Sequence, residues 1–237
     1  MVYDWLTTAS RRLYRSYCLL CSRPIRSERE LCDACARDLP WNRHACPRCA
    51  LPVPAETVAA LCGACLRSPP LWDSAASPLV YEWPLDQLLQ RFKFKGDLAT
   101  GRLLGELLAE FVASLPMARP DLLVPMPLHN ARLRERGFNQ ALELARPVSR
   151  RLQLCLDART CLRRKNTAVQ SKLDARERRR NLRDAFEVRT SLQGVHVAVL
   201  DDVVTTGATA AALSQALRAA GAARISVWSL ARAARPM

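Results

Sequence analysis

The sequence predicts an α/β fold with a largely parallel sheet, preceded by a small module that relies on bound metal for its shape. Two patterns carry this. After residue 68, short apolar runs alternate with amphipathic helical stretches, the order expected of parallel strands joined by helical crossovers. Before it, eight of the ten cysteines crowd between Cys18 and Cys65. With 237 residues and 49% hydrophobic content, the chain can bury one main core and carry an appendage. The division is expected near Ser68-Pro69-Pro70, giving an N-terminal helix and metal module over 1–68 and a main domain over 69–237.

Four CxxC pairs follow one another: Cys18/Cys21, Cys32/Cys35, Cys46/Cys49 and Cys62/Cys65, with ten, ten and twelve residues between them. Each pair makes a tight knuckle that offers two thiolates to one side. Two knuckles complete the tetrahedral four-sulfur shell of structural zinc, so two zinc ions would use all eight cysteines. A disulfide network suits an oxidising compartment, and redox CxxC motifs come singly before a helix, so neither matches this run. The spacing permits neighbouring pairs to join or alternate pairs to cross-brace. We favour neighbours, with Cys18, Cys21, Cys32 and Cys35 on one ion and Cys46, Cys49, Cys62 and Cys65 on the other. His44, between the two sets, is then a surface residue. Because the segment has few large apolar residues, metal binding should supply most of its folding free energy.

Downstream, strands are expected at 79–81, 121–124, 195–200 and 224–230, and helices at 85–93, 98–115, 138–152 and 208–219, the last ended by Gly221. Between the third strand and the last helix lies Asp201-Asp202-Val203-Val204-Thr205-Thr206-Gly207-Ala208-Thr209. A buried strand here delivers two carboxylates to the carboxyl edge of the sheet, where they can accept hydrogen bonds from a ribose diol. Thr205, Thr206, Gly207, Ala208 and Thr209 then open a helix. Its free N–H groups, its dipole and the Thr hydroxyls make an anion cradle, and Gly207 allows close backbone approach. Diol acceptors and a phosphate cradle on one loop match a 5-phosphorylated ribose.

A formal charge of +14 favours phosphates, nucleic acid or anionic surfaces as partners. The basic residues gather at 132–136 and at 163–183, where nine basic side chains face only Asp174 and Glu177. No run approaches the ~20 apolar residues needed to span a bilayer, and the start of the chain lacks a secretory apolar core. A cytoplasmic protein is expected, not an integral membrane one. Leu6, Leu13 and Tyr14 with Arg11, Arg12 and Arg15 suggest a short amphipathic helix, either packed on the cysteine module or lying on the inner face of the membrane.

The strand at 121–124 runs into Pro125-Met126-Pro127-Leu128, a loop whose shape two prolines fix. Arg132, Arg134 and Arg136 follow within one or two helical turns, and their bidentate forks suit a diphosphate. Asn139 and Gln140 either touch ligand or cap the next helix. At 92–97, aromatics interleave with base as a single-strand nucleic-acid surface can, but both Phe92 and Phe94 are expected in the core, with Lys93 and Lys95 reaching solvent or phosphate. His129 and His196 read as packing or turn residues, and Cys155 and Cys161 as buried apolar ones.

The VAVLDDVVTTGAT element resembles the phosphoribosyl-pyrophosphate (PRPP) motif of type I phosphoribosyltransferases. The chain as a whole resembles the ComF family, which includes competence proteins of bacterial DNA uptake and GntX-type proteins. The resemblance runs nearly end to end: the cysteine ribbons, VPMPLHNARLRERGFNQA, TAVQSKLDARERRRNLRDAF and the PRPP loop occur in the family's order. It implies a type I phosphoribosyltransferase fold, with the hood replaced or extended by family-specific segments, behind a double zinc ribbon. It implies PRPP with Mg²⁺ as ligand, Asp201 and Asp202 on the ribose, Thr205 to Thr209 on the 5-phosphate, and Pro125 to Leu128 as the pyrophosphate loop. Arg132, Arg134, Arg136, Gln170 and Arg178 become diphosphate or lid contacts, and 163–183 a loop that closes over ligand, a solvated charged helix over 174–180 being the alternative. An enzyme of this kind displaces pyrophosphate from C1 with a nitrogenous base. No residue marks itself as a general base, so catalytic residues stay unassigned. The rival implication is a non-catalytic PRPP or nucleotide sensor that handles single-stranded DNA beside an uptake helicase or channel.

Overall fold

The computed structural model describes residues 16–26, 29–55, 61–164 and 185–234. The expected N-terminal amphipathic helix, together with Gln170 and Arg178, lies outside the described residues.

The cysteine-rich segment supplies β1 (Ser16–Tyr17) and β2 (Pro24–Ile25), which pair antiparallel, and two five-residue helices, α1 (Asp33–Arg37) and α2 (Gly63–Arg67). The chain then enters β3 (Ser74–Ala76) and β4 (Leu79–Val80), both at the edge of a six-stranded parallel sheet. Its other strands are β5 (Leu122–Pro125), β6 (Cys155–Leu156), β9 (His196–Val204) and β10 (Arg224–Arg232), in spatial order β3-β10-β9-β5-β6 with β4 also on β10. A separate antiparallel pair joins β7 (Cys161–Arg163) to β8 (Phe186–Val188). Helices pack on both faces of the sheet.

Local sequence explains the crossovers. Helix α3 (Leu85–Lys95) buries Leu85, Leu88, Leu89 and Phe92, a single stripe at helical spacing, and Gly96 ends it in the left-handed region at φ 63. Asp97 caps α4 (Leu98–Ser114) by accepting from the Thr100 N–H at 3.0 Å. Two glycines let α4 approach its neighbours: a Cβ on Gly101 would sit 2.3 Å from Phe92, and one on Gly105 would sit 2.9 Å from Pro147 of α6 (Gln140–Leu152). Before α6 comes α5 (Asn130–Arg136), capped by His129, and the last helix is α7 (Ala208–Ala219).

Alternation along the central strands divides the core in two. On β9, Ala198 and Leu200 join the cluster of α3, α4 and α6, while Val197 and Val199 join the cluster of α7, β7 and β8. The cysteine segment straddles the sheet edge. Cys18, Leu31 and Leu39 pack into the first cluster, and Cys46, Cys49, Cys62 and Cys65 into the second. Backbone bonds from Ala75 N–H to Pro47 O (3.0 Å) and Val80 N–H to Pro40 O (2.8 Å) cover an edge that would otherwise stay open.

Three expectations need correction. The strand expected to stop at Leu200 runs to Val204, because Val203 and Val204 stay in register with Ala231 and Arg232. Phe94 is 72% exposed while Phe92 is fully buried, since they lie on different sides of α3. Cys155 is exposed, and only Cys161 is a buried apolar residue.

Candidate functional site

Both acids of the Asp201-Asp202 pair lie within β9, at the carboxyl end of the sheet. The period of two therefore sends them to opposite faces. Asp202 turns to the α3 side, where Lys93 Nζ meets its Oδ2 at 2.8 Å with both side chains largely buried. Asp201 turns to the β7 side and feels the charge of Arg163, which in turn feels Arg132 of α5. Burial first, and the Asp202 charge second, push the Asp201 carboxyl up to about 7 from its ordinary 3.8. Desolvation is also the main effect on Arg163, whose guanidinium lies 5.7 Å over the Phe186 ring.

Thr205 and Thr206 follow, exposed, and Gly207 caps α7 in the left-handed region at φ 78. Thr206 Oγ1 accepts from the Ala208 N–H at 3.3 Å. With Ala208 and Thr209 in the first turn of a twelve-residue helix, the segment presents N–H groups and hydroxyls at the positive end of the α7 dipole. The space beside Gly207 is filled by Trp72: a Cβ there would lie 2.8 Å from the indole ring.

The Pro125 to Leu128 segment leaves the same sheet edge one strand away. Pro125 pairs with Leu200, and the Met126 N–H donates to Leu200 O at 2.7 Å. Asn139 resolves the choice between capping and contact: its Oδ1 accepts from the Ala141 and Leu142 N–H groups, and its Nδ2 donates to Met126 O at 3.1 Å. It caps α6 and ties that helix to the loop. Gln140 is buried and accepts from Arg136 at 2.9 Å.

The three arginines of α5 do not act as one group. Arg132 is half-buried and electrically close to Arg163, Arg136 bonds Gln140 and stacks 5.5 Å over Phe94, and Arg134 is exposed. Helical geometry separates them, since positions i and i+4 share a face and i+2 does not. His129 serves as the α5 cap, and His196 is buried with Nε2 at 2.9 Å from Ser226 Oγ.

Sequence reasoning missed Trp72 and Arg232 as contributors to this edge, and took Arg163 only as the first residue of the closing loop. Arg232 is 3% exposed, bonds Val204 O at 2.9 Å and Thr205 O through Nη1, and bonds Cys49 O at 3.0 Å through Nε. Only its place in a basic, alanine-rich tail was visible in the sequence, and that looks like solvent-facing chain.

The cysteines gather as neighbouring pairs. Cys18, Cys21, Cys32 and Cys35 form one quartet and Cys46, Cys49, Cys62 and Cys65 the other, with all sulfurs of a quartet within 4.8 Å of one another. The Cys21–Cys32 and Cys49–Cys62 sulfurs are 3.8 and 3.6 Å apart. Four sulfurs about 2.3 Å from a central ion are separated by about 3.8 Å, so the quartets fit structural zinc. Burial pushes both Cys18 and Cys35 up, but the N–H groups of Cys21, Cys32 and Leu20 bring Cys18 down to about 6 while the neighbouring sulfurs push Cys35 further up, so without metal the quartet holds its protons unequally. His44 is exposed, as expected.

The model of the double zinc ribbon domain family matches residues 9–66. DNA utilization protein YhgH of Salmonella typhimurium is 39% identical over 184 residues, covering 76% of this chain and 81% of that protein. Competence protein F of Haemophilus influenzae is 38% identical over 179 residues, covering 73% and 78%. Competence protein ComFC of Bacillus subtilis is 32% identical over 189 residues, covering 75% and 74%. Among solved structures, a purine phosphoribosyltransferase from Pyrococcus horikoshii covers 62% of this chain and 74% of its own, at 17% identity and a TM-score of 0.33. With relatives this similar across about three quarters of its length and a double zinc ribbon at its start, the chain belongs to the ComF family of competence and DNA-utilization proteins.

Proposed function

We propose that this chain binds Mg-PRPP at the carboxyl edge of its sheet and serves DNA uptake or utilisation, with 1–68 as its ribbon unit and 69–237 as its ligand-binding unit. The observation that carries this reading is the end of β9, where two splayed carboxylates stand directly before a glycine-capped helix start. A ribose lying across the edge would meet Asp201 on one side and Asp202 on the other. The 5-phosphate would rest on the segment from Thr205 to Thr209. Pro125 to Leu128 would receive the diphosphate, with Arg132 and Arg163 supplying charge and Gln170 and Arg178 closing from the segment outside the described residues. Mg²⁺ bound with the ligand would neutralise the diphosphate oxygens. Transfer, where it occurs, would replace pyrophosphate at C1 by a nitrogen nucleophile, the cations stabilising the departing charge.

Calorimetric titration with Mg-PRPP tests this. Wild type should bind one equivalent, and Asp201→Asn/Asp202→Asn should bind at least about a hundredfold more weakly, as the loss of two half-buried carboxyl partners for the ribose hydroxyls requires. Equal affinity would remove the site assignment. Pyrophosphate release with a panel of nitrogenous bases tests transfer.

One observation favours a DNA-handling role beside ligand binding. Phe94 is 72% exposed with the Arg136 guanidinium over its ring and exposed Lys95 beside it, an arrangement suited to stacking a base of single-stranded DNA. In this reading the protein works in the cytoplasm, at the inner face of the membrane where a helicase or channel delivers the strand. No helix among the described residues is long and apolar enough to cross a membrane. Binding of an oligothymidylate should weaken steeply with salt and fall in Phe94→Ala/Arg136→Ala. A flat salt response, or equal affinity in that variant, would remove this surface.

A further inference from the structure

We propose that the second zinc ribbon holds the phosphate loop in its binding shape through two struts, Arg232 and Trp72, so that metal in the second quartet and ligand on the loop stabilise each other. The inference rests on the reading of Thr205 to Thr209 as the 5-phosphate cradle.

The knuckle between Cys46 and Cys49 is the origin of both struts. Three successive carbonyls of this knuckle bond the body of the protein. Pro47 O accepts from the Ala75 N–H at 3.0 Å, Arg48 O from Trp72 Nε1 at 2.6 Å, and Cys49 O from Arg232 Nε at 3.0 Å. Zinc would fix the shape of the loop between two thiolates, and with it the directions of these carbonyls.

Each strut ends on the phosphate loop. Arg232 continues through Nη1 to Val204 O, 2.9 Å away, and to Thr205 O, so one planar guanidinium spans from a metal ligand to the start of the cradle. Trp72 lays its ring against Gly207, close enough that a Cβ would stand 2.8 Å away. Arg48 steadies the segment carrying Trp72 by donating to Pro70 O at 3.2 Å and Asp73 O at 3.1 Å. The first ribbon is placed differently: its Leu19 O accepts from Arg91 of α3 at 2.5 Å, far from the cradle in sequence and on the other face of the sheet.

A ligand that requires the held form of the loop therefore favours the held form of the knuckle, and coupling between binding sites is reciprocal. Arg232 and Trp72 are positioning residues, acting on the ligand only through backbone they constrain.

The test uses the full, zinc-loaded chain. Hydrogen exchange of the segment containing Thr205 to Thr209 should be at least tenfold faster in Arg232→Gln than in wild type, with β5 amides unchanged. Arg232→Lys, which keeps a cation, should restore part of the protection. Saturating Mg-PRPP should slow chelator-driven zinc release from the second quartet at least fivefold and lose that effect in Arg232→Gln. A Cys21→Ser chain, weakened in its first quartet, identifies which ion is leaving. Should Arg232→Gln fail to fold, Trp72→Phe removes the N–H donor and also the outer ring that rests on Gly207, and should show the same changes in smaller degree. Unchanged exchange in a variant that keeps both zincs, or equal slowing of both ions by Mg-PRPP, overturns the proposal. Absence of Mg-PRPP binding in wild type would overturn the ligand reading instead, and exchange in the unliganded variants would still decide the struts.

Discussion

The two ribbons share a spacing and a ligand set, yet the fold uses them differently. The first has one buried cysteine, Cys18, and leans on α4 through half-buried ion pairs, Arg29 with Glu110 at 2.5 Å and Arg102 with Glu30 at 2.9 Å. All four cysteines of the second are buried, and its carbonyls bond residues that bound the loop from Thr205 to Thr209. Repetition of a metal motif thus says how a segment is held together. What that segment does is set by the polar groups it aims at its neighbours.

Removing metal should break this comparison most completely. With a strong chelator, both ribbons should lose structure, since apparent zinc binding of about 10–16 kcal/mol is folding free energy for such modules. Hydrogen exchange should show protection lost across 16–55 while β5 and the first half of β9 keep theirs. Uniform loss would mean that the ribbons and sheet form one cooperative unit.

Next in size, Gly207→Ala attacks the loop without touching the metal. It places a side chain at φ 78 and 2.8 Å from Trp72, so Mg-PRPP affinity should drop by about a hundredfold, as strain of about 1–3 kcal/mol plus the displaced ring requires. Zinc content should stay at two per chain. Gly101→Ala does the reverse on the first ribbon's face: its Cβ would meet Phe92 at 2.3 Å, overpacking α3 against α4 by about 1–3 kcal/mol. Urea denaturation should show the loss of stability, with ligand affinity per folded molecule retained.

A titration separates the two faces of β9. The Asp201 carboxyl is pushed up to about 7, chiefly by burial, so near neutral pH the folded state holds a proton that the unfolded chain has released. This acid therefore makes stability fall as pH rises from about 4 to 7. Asp201→Asn should be relatively more stable than wild type at pH 8 than at pH 5, measured by urea denaturation at each pH. An unchanged difference would mean that Asp201 ionises normally. The smallest effect is expected from Glu110→Gln, which removes a surface ion pair of the first ribbon and should cost under about 1 kcal/mol.

Much of this was legible in the sequence because each signal had length or repetition behind it. The four CxxC pairs, the apolar run of β9 and the stripe of α3 are repeated patterns, and the structure returns them with shifted ends. β3, β6, β7 and β8 went unseen because two or three residues cannot show a period of two. The extension of β9 through its acids reflects backbone pairing with β10, which overrides a local break in hydrophobicity. Lys93 was read as reaching solvent or phosphate. That it meets Asp202 depends on α3 crossing the face to which Asp202 points. Arg232 and Trp72 lie 183 and 24 residues from the carbonyls they bind, and no local window connects them.

Those separations set an order of events during synthesis. The ribbons leave the ribosome first and can close on metal as soon as Cys65 emerges. Their docking strand β3, however, pairs among the described residues with β10, so Ser74 must wait for Ser226, 152 residues later. The loop from Thr205 to Thr209 is made before Arg232 and has no clamp until β10 takes its place between β9 and the edge. In the proposed reading, a nascent chain that has not yet made β10 can therefore be metallated while the loop that would hold the 5-phosphate is still unclamped.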